Sequence, residues 1–266
     1  MTRVEHGGPP LGRGRSTDLL GRAALVTGAT SDIGVAVVRA LARRGADVAL
    51  HYHRNAARAE ALAAEVAALG ARSCALEADL TAVEHVHRLA DAAGAFAPID
   101  ILVNNAGTPI RRVDWRRLDP EFLDRVFNLN YRAQLYLCQR LTPGMVERHR
   151  GVVINILSTA ATLGGSDTVF AYSSAKGALS TLTRGLARVL APHGVRVLAV
   201  SPGTIDTEFQ RTLTGPELMA QQRAAIPLGR IGRPEEIGEV VAFLATDDAG
   251  FVVGETVHVN GGLYMS

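Results

Sequence analysis

Residues 27–34 read TGATSDIG and directly follow a short apolar run, AALV, at residues 23–26. After this segment, apolar residues recur at helical spacing through residues 33–43, so the glycine-bearing turn joins a strand to a helix. Such a turn lets backbone N–H groups and the positive end of a helix approach a pyrophosphate. We therefore predict a nucleotide-binding βα unit, whose turn contributes the contact residues Gly28, Ser31, Asp32, Ile33 and Gly34.

The alternation of strand and helix patterns continues to the end of the chain. Short apolar runs predict seven strands, at residues 23–26, 47–52, 73–78, 99–104, 152–156, 195–200 and 256–259. Helical spacing predicts helices at residues 33–43, 56–69, 83–93, 121–140, 175–190 and 235–244. This pattern is typical of βαβ units, so we predict an α/β fold: a Rossmann-type doubly wound parallel sheet with helices on both faces. Residues 203–227 have weak periodicity and predict an irregular lid.

Length and composition indicate one folded domain. The chain has 266 residues, of which 47% are hydrophobic and 20% charged, which suits a single α/β domain with a sizeable core. Residues 1–19 are rich in Gly, Pro and Arg and predict a flexible N-terminal arm. The domain is expected to span residues 20–266.

Charge and residue usage exclude several classes of partner. A formal net charge of +2 is too small for a nucleic-acid-binding surface. No apolar run approaches the roughly 20 residues that cross a bilayer, so we expect no membrane partner. Cys74 and Cys138 lie in apolar segments and are expected to be buried thiols in a reducing cytoplasm, with no metal site.

Several motifs that carry chemistry follow the glycine turn in order. NNAG at residues 104–107 closes the fourth predicted strand, and Ser158 follows the fifth. Tyr172 and Lys176 stand four residues apart in YSSAK, and PG follows the sixth strand at residues 202–203. Side chains four apart share one helical face, so the Lys176 ammonium is expected to stabilise a Tyr172 phenolate and lower its pKa.

These motifs, in this order, resemble the classical short-chain dehydrogenase/reductase family over residues 20–266. PGTIDT at residues 202–207 and GETVHVNGG at residues 254–262 are similar to segments of bacterial 3-oxoacyl-acyl-carrier-protein reductases. The resemblance implies an oxidoreductase acting on CH–OH groups, which interconverts a ketone and a secondary alcohol. It also implies a homotetramer.

The resemblance also implies roles for four residues. Tyr172 donates a proton to the carbonyl oxygen, Ser158 hydrogen-bonds the same oxygen, and Lys176 tunes Tyr172 and holds the nicotinamide ribose. Asn128 completes a proton relay to Lys176 through water. Asn130 is a nearby rival for that role, and the family pattern favours Asn128.

The end of the second strand predicts the cofactor. An acid there would bind the ribose hydroxyls of NAD, but Tyr52 occupies the position, and HYHRN at residues 51–55 resembles pteridine reductases. We therefore expect NADP(H), with Arg54 and His53 at its 2′-phosphate. Ser31 stands where many relatives carry a second basic residue, and Asp32 replaces a glycine of the turn and is expected to cap the helix.

The resemblance assigns further residues to the cofactor. Besides Tyr172 and Lys176, they are His53, Arg54, Asn55, Asp79, Leu80, Asn105, Ala106, Gly107, Pro202, Gly203, Ile205 and Thr207.

The substrate stays open between two classes. A 3-oxoacyl thioester is one, and a sugar, polyol or other small alcohol is the other, because His149 and His193 stand where acyl-carrier reductases have arginines; Arg150 is a substitute for the first. The loop between Ser158 and Tyr172 is one residue longer than is usual in the family, on the substrate side. A non-catalytic cofactor-binding regulator is a third possibility, which the complete set of four catalytic residues disfavours.

Overall fold

The computed structural model describes residues 17–265 and contains one seven-stranded sheet. The strands are β1 (Ala23–Val26), β2 (Asp47–Tyr52), β3 (Ser73–Glu77), β4 (Ile99–Asn104), β5 (Gly151–Ile156), β6 (Val195–Pro202) and β7 (Thr256–Val259). All neighbouring pairs are parallel, in the order β3-β2-β1-β4-β5-β6-β7. The predicted doubly wound parallel sheet is confirmed.

Helices cover both faces of this sheet. They are α1 (Asp32–Arg43), α2 (Ala56–Ala68), α3 (Val83–Phe96), α4 (Pro120–Phe127), α5 (Ala133–Glu147), α6 (Ala160–Leu163), α7 (Phe170–Leu190), α8 (Glu208–Leu213), α9 (Pro216–Ala225) and α10 (Pro234–Ala245). Side chains alternate along β1: Ala24 and Val26 pack with α1, α2 and α10, whereas Ala23 and Leu25 pack with α3, α5 and α7. Burial on both faces explains why the strands read as continuous apolar runs.

Two predicted segments differ in the structure. The helix expected at residues 121–140 is divided into α4 and α5 by one π-helical turn, Asn128–Arg132, and it continues to Glu147. The lid at residues 203–227 is not irregular, because it contains α8 and α9. Both helices are short, and α9 lies largely exposed, so their apolar periodicity is weak.

The folded domain begins before the predicted boundary. Leu19, which the sequence assigned to the arm, is fully buried in the core, and its N–H donates to the Arg44 carbonyl. Residues 1–16 of the predicted arm lie outside the described residues. Within residues 17–265, no helix is long and apolar enough to cross a membrane.

The strand order brings the predicted site residues to one edge of the sheet. From β1 the chain moves outward to β2 and β3, then crosses to β4 on the other side of β1. The crevice at the carboxyl ends of β1 and β4 is such a topological switch point, where parallel α/β sheets bind ligands. The glycine turn follows β1 and the NNAG segment closes β4, so both meet there.

Candidate active site

The glycine turn is held from two neighbouring strands. Gly28 has a φ of +62°, a left-handed conformation that glycine adopts without strain. Its N–H donates to Nδ1 of His51 at 2.9 Å, and Nδ2 of Asn105 donates to its carbonyl oxygen at 3.0 Å. Asn105 Nδ2 also donates to the Thr27 carbonyl at 2.8 Å. Asn105, predicted as a cofactor contact, thus shapes the turn.

His51 was missed by the sequence analysis as a functional residue. It is 2% exposed, and its Nε2 lies 3.1 Å from the Ala78 carbonyl oxygen, while Nδ1 accepts from Gly28. This pairing requires the neutral tautomer with its proton on Nε2. Burial lowers the pKa of His51 to about 4, which keeps the ring neutral. His51 joins the glycine turn to the segment before Asp79.

Ser31, not Asp32, caps helix α1. The Ser31 hydroxyl oxygen accepts a hydrogen bond from the Gly34 N–H at 3.1 Å, and Asp32 is the first residue of the helix. The expectation that Asp32 is the cap was wrong by one residue. The Asp32 carboxylate instead accepts hydrogen bonds from the Arg58 guanidinium at 2.8 Å and the Glu208 backbone N–H at 2.6 Å.

The residues expected around the adenosine end of a cofactor lie at the ends of β2 and β3. His53 and Arg54 are exposed, and Asn55 caps α2 by accepting from the Arg58 N–H. His53 Nε2 lies 3.9 Å from an Asp79 carboxylate oxygen. Burial tends to raise the pKa of Asp79, but hydrogen bonds from Thr81 outweigh it and lower the pKa.

Leu80, which follows Asp79, is buried with the core. Asp79 and Leu80 therefore stand at the end of β3, beside the segment that holds His53 and Arg54.

Three predicted catalytic residues come together beyond β5. Ser158 follows this strand, and Tyr172 and Lys176 lie on the first two turns of α7. Lys176 is 1% exposed, and its Nζ donates to the Ile156 carbonyl oxygen at 2.7 Å. The same ammonium lies 5.7 Å from the centre of the Tyr172 ring. The predicted pairing of Tyr172 and Lys176 on one helical face is thus present.

Burial, not the Tyr172–Lys176 pair, dominates the ionisation of both groups. It raises the pKa of Tyr172 to about 12, an effect that the Ser158 side chain partly opposes. It also lowers the pKa of Lys176 to about 7. The expected lowering of the Tyr172 pKa is therefore absent, because desolvation disfavours each charged form. Tyr172 is held as a neutral phenol that can donate a proton.

Asn130, and not Asn128, lies with these residues. A Cβ atom added to Gly107 would be 2.7 Å from Asn130 Oδ1 and 2.8 Å from Lys176 Nζ, so both atoms border the same glycine. Asn130 is fully buried, and its Nδ2 donates to the carbonyls of Thr108 and Val126. Its Oδ1 has no hydrogen-bond partner among residues 17–265.

Asn128 is placed differently. Its side chain is only partly buried, and its Oδ1 accepts from Arg132 at 2.7 Å. The preference for Asn128 therefore does not match the geometry. Both residues lie in the π turn, where one extra residue changes which side chains point toward the sheet. Such turns are often found at functional sites.

The NNAG segment packs closely against Lys176. The Ala106 N–H donates to Thr27 Oγ1 at 3.0 Å, which ties this segment to β1. A side chain at Gly107 would collide with Asn130 and Lys176. Glycine is therefore required here, because only a residue without a side chain can lie this close to the buried Lys176 ammonium and the Asn130 amide oxygen.

The segment after β6 completes the crevice. Pro202 ends the strand, and the Gly203 N–H donates to the Val259 carbonyl. Ile205 is 6% exposed, and Thr207 caps α8 by accepting from the Gln210 N–H at 3.1 Å. These residues lie at the start of the lid, with Thr207 one residue before Glu208.

Comparison with known proteins agrees with this arrangement. A family model described as enoyl-(acyl carrier protein) reductase, of the short-chain dehydrogenase type, matches residues 28–264. A 3-oxoacyl-[acyl-carrier-protein] reductase of Staphylococcus aureus is 36% identical, covering 92% of this chain and 98% of the relative. The chain belongs to the short-chain dehydrogenase/reductase family. It is an oxidoreductase of that family, as its motifs predict.

Solved structures of other family members superpose closely. A putative NAD(P)-dependent gluconate 5-dehydrogenase from Beutenbergia cavernae, with bound NADP, has a TM-score of 0.87 and 34% identity, covering 92% of this chain and 97% of that chain. A blue fluorescent protein from a metagenomic library, in complex with NADPH, has a TM-score of 0.87 and 35% identity, covering 93% and 100%. The short-chain dehydrogenase/reductase fold therefore spans nearly all of the described chain.

We predict that His51 makes stability depend on pH. Its folded pKa is about 4 and its unfolded pKa about 6.5, so the unfolded chain binds the extra proton between these values. The contribution is complete above pH 6.5 and is lost as the pH falls toward 4, by about 3 kcal/mol at most. Urea unfolding at pH 7 and pH 4.5 should therefore show a larger loss for wild type than for His51→Gln. Equal losses in the two proteins would contradict this assignment.

Proposed function

We propose that this chain is an NADP(H)-dependent reductase that converts a ketone into a secondary alcohol by hydride transfer, and that can run in reverse. The observation that carries the proposal is the convergence of Ser158, Tyr172, Lys176 and Asn130 beside the glycine turn. Hydride addition to a carbonyl builds negative charge on the oxygen, which must be stabilised and protonated as it forms. Tyr172 and Ser158 supply the donors for that task, and Lys176 and Asn130 support the proton transfer.

The residues of the crevice fit a nicotinamide dinucleotide. The left-handed Gly28 lies in the turn that leads into the N-terminus of α1, and Gly107 lies directly against Lys176 Nζ and Asn130 Oδ1. The unpartnered Asn130 Oδ1 suits a water or hydroxyl donor. Arg54 is exposed at the end of β2, where a 2′-phosphate would be recognised, and Tyr52 brings no carboxylate to repel it.

The chain's own residues then handle the proton. When bound, the nicotinamide supplies the hydride. Tyr172, a neutral phenol with a pKa of about 12, donates its proton to the carbonyl oxygen. The Ser158 hydroxyl donates a hydrogen bond to the same oxygen. Lys176, held by the Ile156 carbonyl, favours the phenolate that Tyr172 leaves, and it binds the ribose hydroxyls.

We assign the relay role to Asn130 in place of Asn128. Its Nδ2 is fixed by two backbone carbonyls, which turns Oδ1 toward the space shared with Lys176. A water held by Oδ1 would return protons to Lys176 after each turnover. Asn128, bonded to Arg132, stands apart from that space.

Two substrate classes remain in competition. A 3-oxoacyl thioester is favoured by the Staphylococcus aureus relative at 36% identity. A sugar or polyol is favoured by His149 and His193, which replace cations expected to bind an acidic carrier, and by the gluconate 5-dehydrogenase neighbour. Following NADPH absorbance against a panel of both ketone classes separates them. A non-catalytic regulator would consume NADPH with no member of the panel.

We propose further that the chain forms a homotetramer in the cytoplasm. Phe243, Phe251, Val253 and Met265 are exposed apolar side chains on α10 and around the edge strand β7, and closed symmetric assembly would bury such groups. Cys74 and Cys138 are free thiols, which suits a reducing compartment. Light scattering should give about four times 28.2 kDa at micromolar concentration, and a monomer mass would contradict the tetramer.

Replacement of Tyr172 by Phe tests the mechanism. Tyr172→Phe removes only the phenolic proton donor, so turnover should fall by roughly 10²- to 10⁴-fold. Direct titration with NADPH should give nearly unchanged binding, because the ring and its packing remain. Near-wild-type turnover would remove Tyr172 from the mechanism.

A matched pair of variants separates the two asparagines. Asn130→Ala should lower kcat by at least tenfold, because the relay water loses its acceptor, whereas Asn128→Ala should leave kcat within about twofold. Circular dichroism and thermal unfolding of both variants check that the π turn remains folded. A large loss in Asn128→Ala with an active Asn130→Ala would restore the first assignment.

Cofactor preference depends on the cation at Arg54. A charge-assisted contact to the 2′-phosphate is worth about 1.5 to 3 kcal/mol, or roughly ten- to a hundredfold in affinity. Because Ser31 supplies no second cation, we expect a preference for NADPH near tenfold. Arg54→Ala should raise KM for NADPH by about that factor and leave KM for NADH nearly unchanged.

Arg88→Ala, an exposed arginine on α3, is the charge-matched control and should change neither KM. Equal losses with both cofactors in Arg54→Ala would mean that Arg54 supports the loop. A wild-type preference for NADH would overturn the NADP(H) assignment.

A further inference from the structure

Three separate segments of the chain meet at the Asp32 carboxylate. One oxygen accepts from Arg58 Nη2 of α2 at 2.8 Å, and the other accepts from the backbone N–H of Glu208, at the start of the lid helix α8, at 2.6 Å. Arg58 Nη1 also lies 3.9 Å from a Glu208 carboxylate oxygen. The contact between Asp32 and Glu208 spans 176 positions of sequence. We call Asp32, Arg58 and Glu208 the lid clasp.

The clasp is partly shielded from water at its centre. The Asp32 side chain is 19% exposed and that of Arg58 is 36% exposed, whereas the Glu208 side chain is 76% exposed. Burial tends to raise the pKa of Asp32, but the Glu208 N–H and the Arg58 guanidinium outweigh it and hold the pKa below its usual value. Asp32 therefore remains ionised at neutral pH, and its hydrogen bonds are charge-assisted. The Glu208 carboxylate is exposed and lies 3.9 Å from Arg58, so it adds little to the strength of the clasp.

Because Asp32 lies in the glycine turn, the clasp connects the lid to that turn. Asp32 stands where the family pattern of this turn has a glycine, and a glycine has no side chain to reach the lid. The residue that it holds, Glu208, follows Thr207, which caps α8 at the inner end of the lid. The clasp therefore ties the backbone beside Thr207 to the turn that receives a pyrophosphate. No cofactor atom is needed to make this connection.

We propose that Asp32 is a positioning residue that fastens the lid to the phosphate-binding turn, and so slows release of the nicotinamide cofactor. This inference rests on the proposed function, because it assigns the lid to the same cofactor site. The lid is held by protein contacts before the cofactor binds. Cofactor exit then requires the clasp to open, in addition to the loss of cofactor contacts.

Hydrogen exchange of the cofactor-free protein tests the clasp itself. Asp32→Ala should increase the exchange rate of backbone amides at residues 208–214 by roughly ten- to a hundredfold, the value of one charge-assisted hydrogen bond. Glu208→Gln is the matched control: it removes one negative charge but keeps the backbone N–H, so exchange there should change less than threefold. Asp32→Asn keeps the shape of the side chain and should lie between them.

Stopped-flow measurement of NADPH release, by displacement with excess NADP⁺, tests the consequence. The release rate should rise about tenfold in Asp32→Ala and stay within twofold of wild type in Glu208→Gln. Unchanged lid exchange in both Asp32→Ala and Asp32→Asn would overturn the clasp, and so would equal effects in Asp32→Ala and Glu208→Gln. Faster lid exchange with an unchanged release rate would overturn its role in cofactor release.

The two proposals fail in different ways. If wild type bound no NADPH, the proposed function would fail, whereas lid exchange in the cofactor-free protein would still report on the clasp. Thermal unfolding of each variant distinguishes local lid opening from loss of the whole fold. Asp32→Asn, which preserves volume, supplies the decisive comparison if Asp32→Ala does not fold.

Discussion

The whole site depends on how the peptide of Gly28 is held. Its N–H donates to the neutral ring of His51 on β2, and its carbonyl oxygen accepts from Asn105, which follows β4. The left-handed turn therefore connects the two strands that flank β1. Because buried backbone groups require partners, losing the His51 ring would leave the Gly28 N–H unpaired, whereas the Gly28 carbonyl also accepts from Ser31.

Burial favours the neutral form of both ionisable groups in the candidate site, Tyr172 and Lys176. Lys176 is buried on α7 and bonded to the end of β5, and Tyr172 packs against the cluster of Phe122, Val126 and Ala171. Desolvation favours the neutral form of each side chain, and so it keeps Tyr172 protonated as a phenol. The Asn130 amide adds a fixed dipole where Lys176 meets the crevice. The ionisation of the candidate site thus depends on packing as much as on charge.

The cofactor side of the crevice depends on the backbone of the sheet and its turns, whereas the segments expected to face a substrate are loops. Backbone geometry, glycine positions and buried hydrogen bonds define the cofactor side, and they are compatible with relatives of diverse named activity. The loops expected to face a substrate, after β4 and before α7, are joined by two hydrogen bonds: the Val113 N–H donates to the Thr168 carbonyl, and the Trp115 N–H donates to the Asp167 carbonyl. Such loops vary without disturbing the sheet, so the fold does not specify the ketone.

The sequence by itself determined the strands, their parallel arrangement and the motifs at their carboxyl ends. Apolar runs buried on both faces have few alternatives to a parallel sheet, and motifs at strand ends must meet at one edge. Only the tertiary structure showed that Asn130, and not Asn128, lies beside Lys176, because a π turn changes which residue of a helix faces inward. It also decided the roles of His51 and Asp32, whose partners lie 23 and 176 positions away. Contacts at such separations depend on how helices and strands pack, so the spacing of residues within one segment does not predict them.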